Sequence, residues 1–119
     1  MKYMILLFGD SNTMMEVKTP EWIREMIKFM ETIDQELKDR GEFVDGQGLV
    51  DPSEAKTVRF VDGAPVPTDG PFAEAKESLA GYWIIDATEE RALEIASRIV
   101  AYVEEPVEVR QVADAPPEV

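Results

Sequence analysis

The chain has 119 residues, enough for one domain, with 45% apolar residues and 12 basic against 25 acidic side chains, a formal charge of −13. So much acid repels phosphate backbones and anionic lipid surfaces, which argues against nucleic-acid and membrane partners. Cysteine and histidine are both absent, so disulfides, thiolate nucleophiles, zinc–thiolate sites and the imidazole proton shuttle are excluded.

Acid–base chemistry therefore falls to Asp, Glu, Lys, Tyr or water, and neither a metal nor a cofactor is expected. The opening MKYMILLFGD is too short in apolar residues for a membrane span, and no cleavage site follows it. A cytoplasmic location is the default expectation. Residues 2–9 then read as a strand that is apolar on both faces, with Tyr3, Ile5 and Leu7 on one side and Met4, Leu6 and Phe8 on the other. Residues 9–18 are rich in turn formers and read as a loop, with Met14 and Met15 in a lid or an unstructured segment.

Thr19-Pro20 supplies an N-cap and a proline at the first helical position. Trp22, Ile23, Met26, Ile27, Met30, Ile33 and Leu37 follow at helical spacing, and Arg40-Gly41 closes the helix. The face carrying Trp22, Met26 and Met30 reads as core. Residues 42–51 form a weaker strand, interrupted by Gly46 and Gly48. Residues 56–63 alternate, with Thr57, Arg59 and Val61 opposing Val58 and Phe60. After an excursion over 64–78, residues 79–87 make a second strand apolar on both faces. Thr88 caps a helix whose core face holds Leu93, Ala96, Ile99 and Val100, and residues 106–112 form a last alternating strand.

This order, β-α-β-β-β-α-β, predicts an α+β domain over 1–113 with a frayed tail over 114–119. It is close to a split βαβ plan, in which four or five antiparallel strands carry two helices on one face. Two helices cover only that face. The apolar second faces of 2–9 and 79–87 therefore predict a homodimer packed sheet to sheet. A Tyr3- or Tyr82-lined internal pocket is the alternative, and it needs the same enclosure.

The excursion TDGPFAEAKE, residues 68–77, is the most unusual stretch. Asp69, Gly70, Pro71 and Phe72, running on through Lys76-Glu77 to the strand with Gly81, resemble the YciI-like (YCII-related, DGPF-domain) family. KYMILLFGD and GEFVDGQGL carry the likeness to about residue 112. The resemblance implies a ferredoxin-like dimeric α+β barrel. Some relatives are encoded near extracytoplasmic-function sigma factors, and some use a His–Asp pair, one branch for dehydrochlorination of an aromatic ring. That dyad is impossible in a chain without histidine.

Asp69 reads first as a turn former capping a short 71–77 helix, with Pro71 locking the turn and Phe72 anchoring it as a buried aromatic. A solvated surface pair is the simpler reading of Lys76 and Glu77. The catalytic alternative makes Asp69, Lys76 and Glu77 the acid–base and anion-holding groups of a dimer cleft, with Arg59, Phe72 and Tyr82 binding substrate. Asp45, Asp51, Asp62 and Asp69 are better explained by turns than by a metal. Two functions follow: a histidine-free lyase or isomerase acting on a small organic acid, or a non-catalytic dimer that binds a ligand or protein, linked to sigma-factor regulation.

Overall fold

The computed structural model describes residues 1–72 and 77–117. Four strands, β1 (Lys2–Phe8), β2 (Phe43–Gly48), β5 (Leu79–Asp86) and β6 (Val107–Gln111), form one sheet in the order β2-β5-β1-β6. Every neighbouring pair is antiparallel. The remaining two strands, β3 (Lys56–Val61) and β4 (Ala64–Asp69), pair only with each other in a separate hairpin. The helices are α1 (Ser11–Val17), α2 (Pro20–Asp39) and α3 (Glu89–Val103).

Helix α2 forms where its punctuation places it. The Thr19 side chain accepts a hydrogen bond from the Trp22 N–H at 3.1 Å, and the backbone N–H of Arg40 closes on Glu36 and Lys38. Helix α3 starts in the same way, with Thr88 accepting from Arg91. Both helices bury their apolar stripes on one face of the sheet. Ile33 and Leu37 of α2 and Ala92, Ile95 and Ile99 of α3 join Tyr3, Ile5, Trp83 and Ile85 in a single core cluster. Trp83 also donates its indole N–H to Asp34 of α2. Gly46 makes room for that indole, because a Cβ there would lie 2.8 Å from Trp83 Cδ1.

Among the described residues no helix covers the opposite sheet face, where Met4, Leu6, Phe8, Tyr82 and Ile84 stay half-exposed. The molecule is correspondingly a slab, 49 × 46 × 19 Å.

On α3, Leu93 and Val100 are 49% and 37% exposed, and Ala92 and Ile95 take the core places expected for them. Three expectations about the elements also change. The 9–18 segment holds helix α1 rather than only a loop. The excursion begins with strand β4, which turns 56–69 into a hairpin outside the main sheet. The chain by itself forms an antiparallel sheet with three helices and no closed barrel. The short helix expected at 71–77 lies largely outside the described residues.

A charged network ties the two long helices together. Arg91, 8% exposed, donates to Glu36 at 2.7 Å and to Glu42 at 3.0 Å, and Arg98 donates to Glu36 at 2.8 Å. Hydrogen bonds from Arg98 and then Arg91 hold the Glu36 carboxyl down at about 2, against an ordinary 4.5. A carboxylate depressed in this way stabilises the fold fully above about pH 4.5 and loses that contribution as pH falls to about 2. Acid unfolding followed by circular dichroism should therefore be shallower across that window in Glu36→Gln than in wild type. Arg91→Met removes the buried cation shared by Glu36 and Glu42 and leaves each carboxylate only its more exposed arginine, Arg98 and Arg40, so it should cost about 3 kcal/mol in urea melts; a cost below about 1 kcal/mol, the range of exposed pairs, would mean the network is solvated.

Candidate functional site

Alternation of strand direction brings four connections to one end of the sheet: the exit of β1 into α1, the 49–55 link after β2, the 70–78 segment before β5, and the 104–106 turn before β6. Backbone hydrogen bonds fasten them to one another. Gly9 N–H reaches Ser78 O at 3.0 Å, Leu49 N–H reaches Ala80 O at 2.8 Å, and Gly70 N–H reaches Ala55 O at 2.8 Å.

Within this end lies a cavity of about 380 Å³, in the size range of small-molecule sites. Its apolar wall comes from Leu7 of β1, Trp22, Met26 and Met30 of α2, Val103 of α3 and Val107 of β6, and α1 contributes Met14 and Val17. Asp10, Lys18, Asp51 and Glu105 are its charged members. Two of these already have structural work. Lys18 places its ammonium 4.7 Å from the centre of the Trp22 ring, and Asp51 caps the short turn Pro52–Glu54 through Ser53. Behind Trp22 stands an aromatic stack, with Tyr102 5.7 Å from it and 4.7 Å from Phe29 between ring centres.

The far side of the 49–52 segment faces a wider, more open depression. Phe8, Lys56, Thr57, Pro71, Phe72, Glu77 and Ser78 border it.

Of the residues singled out in the sequence, Arg59, Phe72 and Glu77 come together at the open depression or its edge, while Asp69 and Tyr82 lie elsewhere. Asp69 ends β4 with its side chain 89% exposed and ion-paired to Lys56, its cross-strand partner, and it borders neither concavity. Glu77 is exposed at the open depression. Phe72 lies at the same edge, 83% exposed, which overturns its reading as a buried anchor; the Arg59 guanidinium lies 5.8 Å from its ring centre. Lys76 lies outside the described residues. Tyr82 sits on the open sheet face and donates to Asp45 Oδ2 at 2.9 Å. That hydrogen bond, then partial burial, then the nearby negative charge all raise the phenol above its ordinary value. Among the described residues no group of three carboxylates is placed to hold a metal ion, and no helix is long and apolar enough to cross a membrane.

The cavity itself was missed in the sequence because its wall passes for core. Trp22, Met26 and Met30 have the spacing of a buried stripe, but all three are only half-buried. The accompanying signal was Met14 and Val17, an i,i+3 apolar pair after Asp10 in a segment without glycine or proline.

Sheet, helices and end-on cavity define a mixed α+β protein with a small-molecule-sized recess. The chain belongs to the YCII-related family: the model of the YCII-related domain matches residues 1–116. An uncharacterised protein of Rhizobium meliloti (strain 1021) is 30% identical over 101 residues, covering 81% of this chain and 77% of the relative.

Tyr82→Phe identifies the Tyr82 part of the ultraviolet phenolate titration, and Asp45→Asn should move that part to lower pH by removing the carboxylate that raises the phenol. An unchanged titration in Asp45→Asn would show that the pair is not made in solution.

Proposed function

We propose that the chain is a homodimeric small-molecule-binding protein whose ferredoxin-like sheets pack face to face into a dimeric α+β barrel, with the ligand held at the end where the 9–18, 49–55 and 104–106 connections meet. The observation that carries this reading is the recess of about 380 Å³ with its Leu7, Trp22, Met26, Met30, Val103 and Val107 wall. Such a wall suits the apolar body of a small organic molecule, and its methionines and indole favour an aromatic one through sulfur–ring and ring–ring contact. The dimer is supported by the uncovered sheet face, where Met4, Leu6, Phe8 and Ile84 would otherwise face water.

Binding is preferred to lyase or isomerase work because that chemistry needs a carboxylate and a proton donor converging on one substrate. Asp69, Glu77 and Tyr82 occupy three different places. A binding module of this kind is compatible with a regulatory role in the cytoplasm, the setting expected from the sequence.

The test uses N-phenyl-1-naphthylamine, a neutral aromatic probe that brightens in apolar surroundings. Saturable binding at one site per chain is expected. Met26→Trp, which fills the recess, should weaken it by about tenfold or more, a loss of about 1.4 kcal/mol. Leu6→Ser, on the sheet face assigned to the dimer, should leave the probe dissociation constant unchanged even where it loosens the dimer, because one chain supplies the whole wall of the recess. Probe binding that follows Leu6 rather than Met26 would locate the apolar surface on the sheet and refute the recess as a site.

A further inference from the structure

The β3–β4 hairpin pairs with no strand of the main sheet, and its construction is too definite for a loose loop. Its turn is Asp62-Gly63, with φ of 49° and 80°, the two consecutive left-handed residues of a type I′ turn that matches strand twist. Thr68 Oγ1 donates to Thr57 O at 2.9 Å, and Thr57 Oγ1 donates to Gly70 O at 2.8 Å, bracing the base. The register pairs Val58 with Pro67 and Phe60 with Pro65. These four side chains share one face of the hairpin, which is therefore wholly apolar above the Lys56–Asp69 pair. Val58 is 65% and Phe60 79% exposed. A lone two-stranded hairpin is marginal in water and is normally stabilised by packing, yet among the described residues Val58 and Phe60 stay largely uncovered.

Three features select what covers it. The first is reach. A compact chain of this length has a radius of gyration of about 13.5 Å, but this one has 16.5 Å with a thickness of only 19 Å. An arm that pairs with no strand of the main sheet fits that flat, extended outline. The second is charge. Lys56 and Arg59 balance Asp62 and Asp69, so residues 56–69 are neutral in a chain of formal charge −13. The arm can therefore approach a strongly acidic body without burying net charge. The third is area. A four-stranded face about 19 Å wide and 23 Å long offers roughly 440 Å², short of the roughly 800 Å² per partner of a standard interface. The hairpin face adds about 200 Å², and in a twofold dimer each copy also receives its partner's arm, which brings the total near that standard.

We infer that the 56–69 hairpin is a clasp that seats its Val58, Phe60, Pro65 and Pro67 face on a second copy of this chain, each copy giving one arm and receiving one. This rests on the homodimer proposed above and adds to it the element that makes its interface large enough. The clasp docks by its face, not by strand addition along β4, because Pro65 and Pro67 remove the amide donors that β4 would turn outward beside the two-residue turn.

Sedimentation equilibrium of the full chain, with its mass of 13.4 kDa, tests this with two variants. Val58→Ser with Phe60→Ser alters only exposed positions, so the fold should survive, as circular dichroism can verify. This double variant should raise the dimer dissociation constant by about tenfold or more. Leu6→Glu on the sheet face should also break the dimer. Added salt should tighten the wild-type dimer, because the arm contributes no net attraction between charges and the bodies repel. A dimer that is lost in Leu6→Glu but keeps its wild-type dissociation constant in the double serine variant would overturn the clasp alone. A wild type that stays monomeric at high micromolar concentration and in high salt would overturn both the clasp and the sheet-face dimer.

Discussion

The structure depends on one inequality: the sheet has two apolar faces and the helices cover one. Helices α2 and α3 seal Tyr3, Ile5, Trp83 and Ile85 into a core where Ile5, Ile33, Leu37, Ile85, Ile95 and Ile99 are fully buried. The same strands present Met4, Leu6, Phe8 and Ile84 on the other side. A residue period of two makes this unavoidable once both odd and even positions of β1 and β5 are apolar. The slab shape, the exposed hairpin and the proposed dimer all relate to that uncovered face.

The division of labour between the two ends of the sheet follows from antiparallel order. One end holds the tight α2–β2 connection, the start of α3 and the Arg91 network, which together fix how the helices lie on the sheet. The other end collects the longer connections, and there the chain leaves a recess instead of filling it. The Lys18 ammonium over Trp22 and the Asp51 cap show that charged residues at this end are partly committed to holding the connections in shape. An apolar wall with few uncommitted charges suits recognition of a hydrophobic body better than bond making.

Much of this was legible in the residues, for reasons that differ by element. Helix α2 was readable to its first residue because Thr19-Pro20 and Gly41 punctuate it, and β1 and β5 because unbroken apolar runs leave little choice. Helix α1 escaped because seven residues carry too little periodicity to separate helix from loop. Strand β4 escaped because two prolines in APVPTD demote a strand; yet the Asp62-Gly63 pair was a sufficient hairpin signal, and prolines are tolerated on an outer edge. Phe72 was read as an anchor because an aromatic after a proline turn usually buries, and only tertiary structure reveals a ring that is 83% exposed. The Arg91–Glu42 contact joins residues 49 apart, a distance at which pairing cannot be read from one sequence. The recess shares its residue types with a core, so spacing alone could not distinguish a wall from a filling.

The central claim is that the open sheet face is covered by a second copy in solution. The most direct measurement is the attenuation of methyl resonances by a neutral gadolinium chelate in solution, with Ile33, fully buried, and Met15, 69% exposed, as internal references. The account predicts that Met4, Leu6 and Ile84 methyls are protected like Ile33 at concentrations where the chain is dimeric and become accessible on dilution. Attenuation of those methyls to the level of Met15 at every concentration would contradict it.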